Sequence, residues 1–227
     1  MAPSSPVFSH FLINVIKFLS ETPFFETKKL SKGFPSFPLL NPNKNINLSF
    51  IVLILKLKKG EKLRIGIISD THDRLPLIVK AVEKLNSEKV DLVLHCGDYC
   101  APFVVSSFKN LNPKMIGVYG NNDAEKELLR KAFLEFGKEI KGSFVKLNIN
   151  GFKIALLHGE NKDLLDAIIE CGLFDLVAYG HTHKIDTSEV GKTLVVNPGE
   201  VCGYLTGESS LALIEVENKK VNIVKLT

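Results

Sequence analysis

The chain has 227 residues, of which 45% are apolar and 24% are charged, a balance typical of a folded globular protein. This length is enough for one sizeable α/β domain and not clearly enough for two. The formal net charge is +4, but the surplus of positive over negative charge lies in residues 1–62, and the remainder is slightly acidic. We therefore predict no basic face for nucleic acid.

Residues 1–62 differ from the rest, because they are rich in proline and show no regular apolar period. Their apolar stretches, around 7–19 and 50–57, are shorter than the ~20 residues of a spanning helix, and the start lacks the marks of a secretory signal. We predict an N-terminal extension over 1–62, mostly disordered, or a start codon assigned too early, since Leu63 directly precedes the first strand. A membrane anchor in this segment is the alternative.

From Leu63 onward, short apolar runs alternate with segments of helical period, which predicts strands alternating with helices. Strands are expected at LRIGIIS, DLVLHC and KMIGVY. The first helix should bury residues at three- and four-residue spacing, namely Leu77, Ile78, Ala81, Val82 and Leu85. The second and third helices are expected at Phe103–Phe108 and Ala124–Phe136.

The second half of this region predicts hairpins around a further βα unit. Asn150-Gly151 is a strong two-residue turn signal between FVKLNI and FKIALLHG. A helix over 162–170, a strand at FDLVAYG, a hairpin at HTHKIDTSEV and TLVVNPGE, and two closing strands follow. This order favours a layered α/β sandwich, and we assign residues 63–227 to one domain.

Side chains that can bind metal follow five of the apolar runs. In chain order they are Asp70 and His72, Asp98, Asn121, His158, and finally His181 and His183. Functional groups in open α/β sheets gather outside the carboxyl ends of the strands, so we expect these seven side chains at one edge of the sheet. Aspartate, neutral imidazole and an amide oxygen are good ligands for divalent ions. If Asp98 bridges, four ligands face each of two ions, as in two-metal hydrolytic sites.

Each motif alone also has an ordinary structural explanation. Asp70 could cap a helix, Gly-Asp and Gly-Asn pairs commonly mark turns, and His158 could be a hydrogen-bonded turn residue. The segment YGHTH, which places His181 and His183 one residue apart, is harder to explain structurally. Because the motifs occur together, each at a strand end, we favour a metal centre.

The blocks GIISDTHD, LHCGD, YGNND, LLHG and YGHTH resemble the calcineurin-like metallophosphoesterases, most closely their small YfcE-type phosphodiesterase branch, which includes archaeal members. The resemblance runs from Leu63 to the C-terminus and includes NPGEVCGYLTG. It implies a four-layer α/β/β/α fold, in which two sheets pack face to face between helices. It also implies one ion on Asp70, His72, Asp98 and His183, and a second on Asp98, Asn121, His158 and His181.

The activity implied by this resemblance is hydrolysis of phosphodiesters by a hydroxide bound at two divalent ions. A ligand set without a thiolate favours manganese, nickel or iron over zinc. Many relatives have Asn-His where this chain has Asn121-Asn122. Asn122 can contact a phosphoryl oxygen but cannot deliver a proton. We therefore expect diesters, aryl diesters above all, to be cleaved better than monoesters.

The same fold also serves without catalysis, in the small subunit of the retromer complex, so a docking scaffold is the alternative function. The chain keeps His72 and every other ligand position, which favours the enzyme.

The cysteines of the chain, Cys96, Cys100, Cys171 and Cys202, have neither disulfide-rich density nor zinc-knuckle spacing and predict a reducing cytoplasm. The expected partner is a small phosphodiester, with no membrane span; a homo-oligomer is left open.

Five further residues near the predicted edge have supporting roles in our interpretation. His95 is expected to be packed or to support a ligand rather than to bind metal. Asp73 and Asp123 are expected to cap the helices that follow them, with the orientation of ligands as the alternative. Asn197 and Gly199 are expected to shape a turn at the rim.

Overall fold

The computed structural model describes residues 51–52 and 62–227, so the predicted extension otherwise lies outside the described residues. The described strands form two six-stranded mixed sheets. Two residues from the predicted extension, Ile51–Val52, form strand β1 at the edge of one sheet.

The first sheet has the strand order β12-β11-β2-β3-β4-β5. Its four neighbouring parallel strands are β2 (Arg64–Ile68), β3 (Leu92–His95), β4 (Lys114–Gly117) and β5 (Glu139–Ile140). The connections between them contain α1 (Leu75–Ser87), a 3₁₀ helix (Pro102–Phe108) and α2 (Lys126–Glu135). The strand β11 (Ser210–Glu215) pairs antiparallel with β2, and β12 (Lys220–Lys225) pairs antiparallel with β11 at the edge of the sheet, after a 3₁₀ turn at Val216–Asn218.

The second sheet has the strand order β1-β6-β7-β8-β10-β9. The hairpin strand β6 (Phe144–Ile149) has the bounds that the sequence predicts, while β7 (Phe152–Leu157) begins as predicted and ends two residues earlier. They are followed by α3 (Lys162–Glu170), β8 (Leu176–Ala178), β9 (Ile185–Val190) and β10 (Thr193–Pro198). Strands β7, β8 and β10 run parallel.

Alternation along the strands builds the layers. In β2, Ile65 and Ile67 join an apolar cluster that also contains inward residues of the second sheet, while Ile68 packs with α1 and α2 residues on the other face. Helix α3 covers the outer face of the second sheet. Each fully buried isoleucine stabilises this arrangement by roughly 1.5–3 kcal/mol. The predicted four-layer α/β/β/α sandwich is confirmed.

Helix α1 buries the five predicted residues Leu77, Ile78, Ala81, Val82 and Leu85. The predicted second helix is a 3₁₀ helix that begins at Pro102, and the sequence pattern missed β5 because two residues are too few to form a recognisable apolar run. Among residues 62–227, no helix is long and apolar enough to cross a bilayer.

Candidate metal centre

The seven predicted ligands follow strands of both sheets. Asp70 and His72 follow β2, Asp98 follows β3 and Asn121 follows β4 in the first sheet, while the three remaining histidines follow β7 and β8 in the second. The expectation of a single sheet edge was therefore wrong in one respect: the ligands come from two facing sheets. They meet at one end of the sandwich, because neighbouring members lie within contact distance across the two sheets.

One group of ligands surrounds Asp70. The Oδ1 of Asp70 lies 3.3 Å from the Nε2 of His183. The rings of His72 and His183 are stacked with centroids 5.4 Å apart. The Nε2 of His72 lies 3.8 Å from the Oδ2 of Asp98. These four side chains are the set that the family resemblance assigns to one ion.

The other group extends from the same Asp98 oxygen. Its Oδ2 lies 3.3 Å from the Nε2 of His158. The Oδ1 of Asn121 is 3.0 Å from the Nε2 of His158 and 3.0 Å from the Nδ1 of His181. Asp98 thus contacts both groups, as a bridging ligand requires, and it is almost fully buried at 1% exposure.

The backbone at this site is unusual, since five of the seven residues have a positive φ. They are Asp70 (50°), His72 (42°), Asp98 (62°), His181 (66°) and His183 (60°). Non-glycine residues adopt this left-handed region at a cost of order 1–3 kcal/mol each, and such strain concentrates at functional sites. The fold holds these turns in place, and the turns bring the side chains together.

Two glycines allow the close approach of the ligand loops. A Cβ on Gly180, which precedes His181, would lie 1.8 Å from the Oγ of Ser69 and 2.8 Å from the Oδ2 of Asp70. A Cβ on Gly120 would lie 2.1 Å from the Oδ1 of Asp98. These separations are far below van der Waals contact, so only glycine fits at either position.

Hydrogen bonds fix the orientation of two of the imidazoles. The Nδ1 of His158 lies 2.8 Å from the carbonyl oxygen of Cys96, and the Nδ1 of His183 lies 2.7 Å from the Oε2 of Glu200. A carbonyl or an ionised carboxylate only accepts, so each Nδ1 carries the proton and donates. In the neutral ring, the Nε2 lone pair then faces the site, which is the orientation of a metal-binding histidine.

The polar atoms at the centre of the site fit a cation better than they fit one another. In a neutral His158 ring the Nε2 is an acceptor, as are the Asp98 Oδ2 and the Asn121 Oδ1. These two oxygens nevertheless lie 3.3 and 3.0 Å from that Nε2. Within the described part of the chain, the buried Asp70 Oδ1 and His72 Nε2 have no hydrogen-bond partner. Unsatisfied buried acceptors are costly, and a divalent ion would satisfy them.

The pKa shifts of the buried groups also favour a bound cation at this site. Burial raises the pKa of Asp70 above its usual value. Burial also opposes ionisation of Asp98, but hydrogen bonds and charge from His158 and Asn122 outweigh it and hold the pKa of Asp98 well below its usual range. For His158, burial favours the neutral ring, yet the Asp98 carboxylate raises its pKa. A cation entering the site therefore competes with a proton on His158.

The predicted helix caps at Asp73 and Asp123 were wrong. Asp123 accepts hydrogen bonds from the backbone N–H groups of Asp98, Tyr99, Cys100 and Gly120 at 2.7–3.1 Å, so it fixes the loop that carries Asp98. Asp73 accepts from the hydroxyl of Tyr204 at 2.7 Å. Helix α1 begins at Leu75, and α2 begins at Lys126, two residues after its predicted start; neither has a side-chain cap.

His95 and Asn197 brace the ligand loops. His95 is fully buried and stacks on Tyr99 with ring centroids 3.8 Å apart. Its Nε2 lies 3.1 Å from the hydroxyl of Thr71, the residue between Asp70 and His72 in the sequence. Asn197 donates to the carbonyl of Gly180 at 2.8 Å. These contacts agree with the supporting roles expected for both residues.

Sequence reasoning missed Glu200. This buried carboxylate accepts from His183, from the Cys202 thiol at 2.9 Å, and from backbone N–H groups of the loop that follows. Burial alone would raise its pKa, but these donors hold the pKa of Glu200 down at about 2. The available signal was an acidic residue directly after the Asn-Pro-Gly turn, at a strand end.

Asn122 and Cys100 lie close to the candidate ligands. The backbone N–H and side-chain amide of Asn122 donate to the two oxygens of Asp98 at 2.9 and 2.7 Å. The Sγ of Cys100 lies 3.0 Å from the Nδ1 of His72. All four cysteines are free thiols.

A groove of about 450 Å³ opens beside His181, between α3 and the β9–β10 hairpin. Its apolar lining includes Leu165, Ile169 and Tyr179. Three acidic side chains and one lysine stand along it: Glu160, Asp166, Asp186 and Lys162.

Residues 63–219 match the family profile of the calcineurin-like phosphoesterase superfamily domain. The chain belongs to the calcineurin-like phosphoesterases. Phosphodiesterase MJ0936 of Methanocaldococcus jannaschii is 43% identical over 165 residues, which cover 72% of this chain and 99% of the relative. A solved structure described as a novel archaeal phosphodiesterase has a TM-score of 0.69 at 42% identity, covering 72% of this chain and 99% of that one.

Two more distant phosphoesterase-fold structures show the fold alone. YfcE, a phosphoesterase from E. coli, has a TM-score of 0.52 at 19% identity, covering 73% of this chain and 100% of its own. Vps29 of Entamoeba histolytica, complexed with zinc, has a TM-score of 0.52 at 21% identity over the same shares. The predicted family and fold are confirmed.

Proposed function

We propose that the chain hydrolyses phosphodiesters, with a hydroxide as nucleophile, at two divalent cations that share Asp98. Asp70, His72 and His183 would complete one coordination sphere, and Asn121, His158 and His181 the other. The observation that carries this proposal is the position of the Asp98 Oδ2, which lies between His72 at 3.8 Å and His158 at 3.3 Å.

Divalent ions bound there would lower the pKa of water and neutralise charge on the phosphoryl oxygens. The chain itself supplies the positioning. Hydrogen bonds from the Nδ1 atoms to Glu200 and to the Cys96 carbonyl direct the Nε2 atoms of His183 and His158 into the site. Asp123 fixes the Asp98 loop through backbone N–H groups, so the ligands need little reorganisation.

Asn122 supports a diester rather than a monoester as substrate. Its amide donates to the Asp98 Oδ2 at 2.7 Å, so it lies at the ligand shared by both groups. From this position we propose that it contacts a phosphoryl oxygen of the substrate. An amide cannot protonate a leaving group near neutral pH, so substrates with stable leaving groups are favoured. The name of the M. jannaschii relative, a phosphodiesterase, agrees with this choice.

A docking scaffold is the second candidate, because Vps29 shares the fold. The convergence of the seven candidate ligand side chains at one site favours the enzyme. We also propose manganese, nickel or iron as the bound metals, since nitrogen and oxygen donors predominate.

The free thiols suit a cytoplasmic location. Residues 63–227 are proposed as the catalytic domain, which the matched range 63–219 supports.

The test is hydrolysis of bis-p-nitrophenyl phosphate by the full chain after removal of metal with a chelator. We expect no turnover without metal and recovery on adding manganese or nickel. Titration of manganese by calorimetry should give two ions per chain. A folded, metal-loaded protein that does not hydrolyse the diester would support the scaffold instead, and binding of one ion would contradict the dinuclear centre.

A further inference from the structure

The loop after Glu200 presents two large exposed side chains next to the metal centre. Tyr204 is 50% exposed and Leu205 is 74% exposed. The ring of Tyr204 lies 6.1 Å from the ring of the ligand His72. An exposed aromatic ring at this distance is within reach of a group attached to a phosphate at the ions.

Tyr204 is held at both ends, unlike an ordinary surface side chain. Its hydroxyl donates to the Oδ1 of Asp73 at 2.7 Å, and its backbone N–H donates to the Oε2 of the buried Glu200 at 2.9 Å. The neighbouring backbone N–H of Leu205 also donates to Glu200 at 3.0 Å. A ring that is fixed before binding loses little conformational entropy when a ligand stacks on it.

The charge around the ring suits an anionic, planar ligand. The guanidinium of Arg74 lies 5.1 Å from the centroid of the Tyr204 ring. A guanidinium attracts phosphate and is itself planar, so a planar group can stack on it as well as on an aromatic ring. The acidic Asp73 partly offsets this charge, but its carboxylate accepts the tyrosine hydroxyl. The groove beside His181 has three acidic side chains and one lysine, and suits an anion less well.

We propose that Tyr204, together with Arg74, binds a planar substituent of the phosphodiester, an aryl group or a nucleobase. This inference rests on the proposed function, because it places a phosphate at the metal ions. It gives aryl and nucleoside diesters an advantage in binding, separate from the stability of their leaving groups. Stacking of a base on an aromatic side chain is typically worth about tenfold or more in affinity.

The test compares two non-hydrolysable anions, phenylphosphonate and methylphosphonate, as inhibitors of bis-p-nitrophenyl phosphate hydrolysis by the manganese-loaded full chain. They share the same head group and differ only in the planar ring. We expect wild type to bind phenylphosphonate about tenfold more tightly. Tyr204→Ala and Tyr204→Leu should lose most of this ratio and leave the methylphosphonate constant unchanged, while Tyr204→Phe should retain it.

Phe136→Ala, which removes an exposed ring at the end of α2, is the matched control and should keep the ratio. A wild type without phenyl preference, or a preference that survives Tyr204→Ala, overturns the assignment. Equal weakening of both inhibitors also overturns it, because the effect is then on the metal centre. If wild type has no turnover, calorimetric binding of both phosphonates to the manganese-loaded protein tests the subsite separately from the proposed activity.

Discussion

The Nδ1 of His183 lies 2.7 Å from the Oε2 of Glu200, and the same oxygen accepts the backbone N–H of Tyr204 at 2.9 Å. One buried carboxylate therefore joins a candidate metal ligand to the loop that carries Tyr204. Because the imidazole N–H donates to a charged acceptor, the ring is fixed with its Nε2 directed at the candidate site.

Glu200→Gln should weaken metal binding. Glutamine keeps the size of the side chain but removes the charge and replaces one acceptor oxygen with a donor. Loss of such a partner typically costs about 10–100-fold in metal affinity, measurable by calorimetric titration of manganese. Glu208→Gln, at an exposed carboxylate paired with Lys225, is the control. Equal affinity in wild type and Glu200→Gln would show that His183 is positioned without this contact.

Glu200 should also make stability depend on acidity. Its pKa is held at about 2, below its ordinary value of 4.5. The stabilisation that this shift supplies is therefore complete above the ordinary value and is lost as the pH falls towards 2. In urea unfolding with a chelator present, the difference in unfolding free energy between wild type and Glu200→Gln should shrink from about pH 5 to about pH 2.5. A constant difference would contradict the assigned pKa.

Asp98→Ala should abolish hydrolysis almost completely, because both groups of ligands contact this carboxylate. We expect a loss larger than the roughly 100-fold typical of a residue that only supports a ligand. The rate with bis-p-nitrophenyl phosphate at saturating manganese measures it. Asp163→Ala, on the exposed first turn of α3, should be silent. A variant that keeps most of the wild-type rate would rule out Asp98 as the bridge.

Local patterns predicted much of this molecule. The hairpin strand Phe144–Ile149 matches its predicted bounds and the strand Phe152–Leu157 matches its predicted start, because Asn150-Gly151 sets the register. Strand ends also pointed to the candidate ligands. Patterns within one segment cannot show which sheet a strand joins, so the division of the ligands between two sheets was missed.

The supporting contacts were harder to predict for a related reason. Asp123 bonds to residues 98–100, and Asp73 bonds to Tyr204, 131 residues away. A preference for helix caps is local, and these partners are distant in the sequence. Glu200 was missed because its role depends on the path of the loop that follows it.

Gly180→Ala should disturb the candidate metal centre without replacing a ligand side chain. The added Cβ would lie 1.8 Å from the Oγ of Ser69 and 2.8 Å from Asp70. Such overpacking typically costs about 1–3 kcal/mol, so the unfolding midpoint in urea should fall and manganese should bind more weakly. Gly172→Ala, where a Cβ meets nothing within 4 Å but the φ of 62° strains alanine, measures a backbone cost without a clash at the centre. It should leave manganese affinity unchanged, and equal manganese affinity in wild type and Gly180→Ala would contradict the steric explanation.

Asn122→His should shift the substrate preference towards monoesters. The side chain of residue 122 lies at the Asp98 carboxylate, where a histidine could donate a proton to a departing oxygen. General acid catalysis is typically worth about 10²–10⁴-fold, and it matters most for poor leaving groups. We therefore expect the ratio of kcat/KM for p-nitrophenyl phosphate to that for bis-p-nitrophenyl phosphate to rise at least about tenfold. Asn122→Gln, which keeps the amide, should leave the ratio low. An unchanged ratio in Asn122→His, with manganese affinity intact, would show that a missing acid at this position does not determine the preference for diesters.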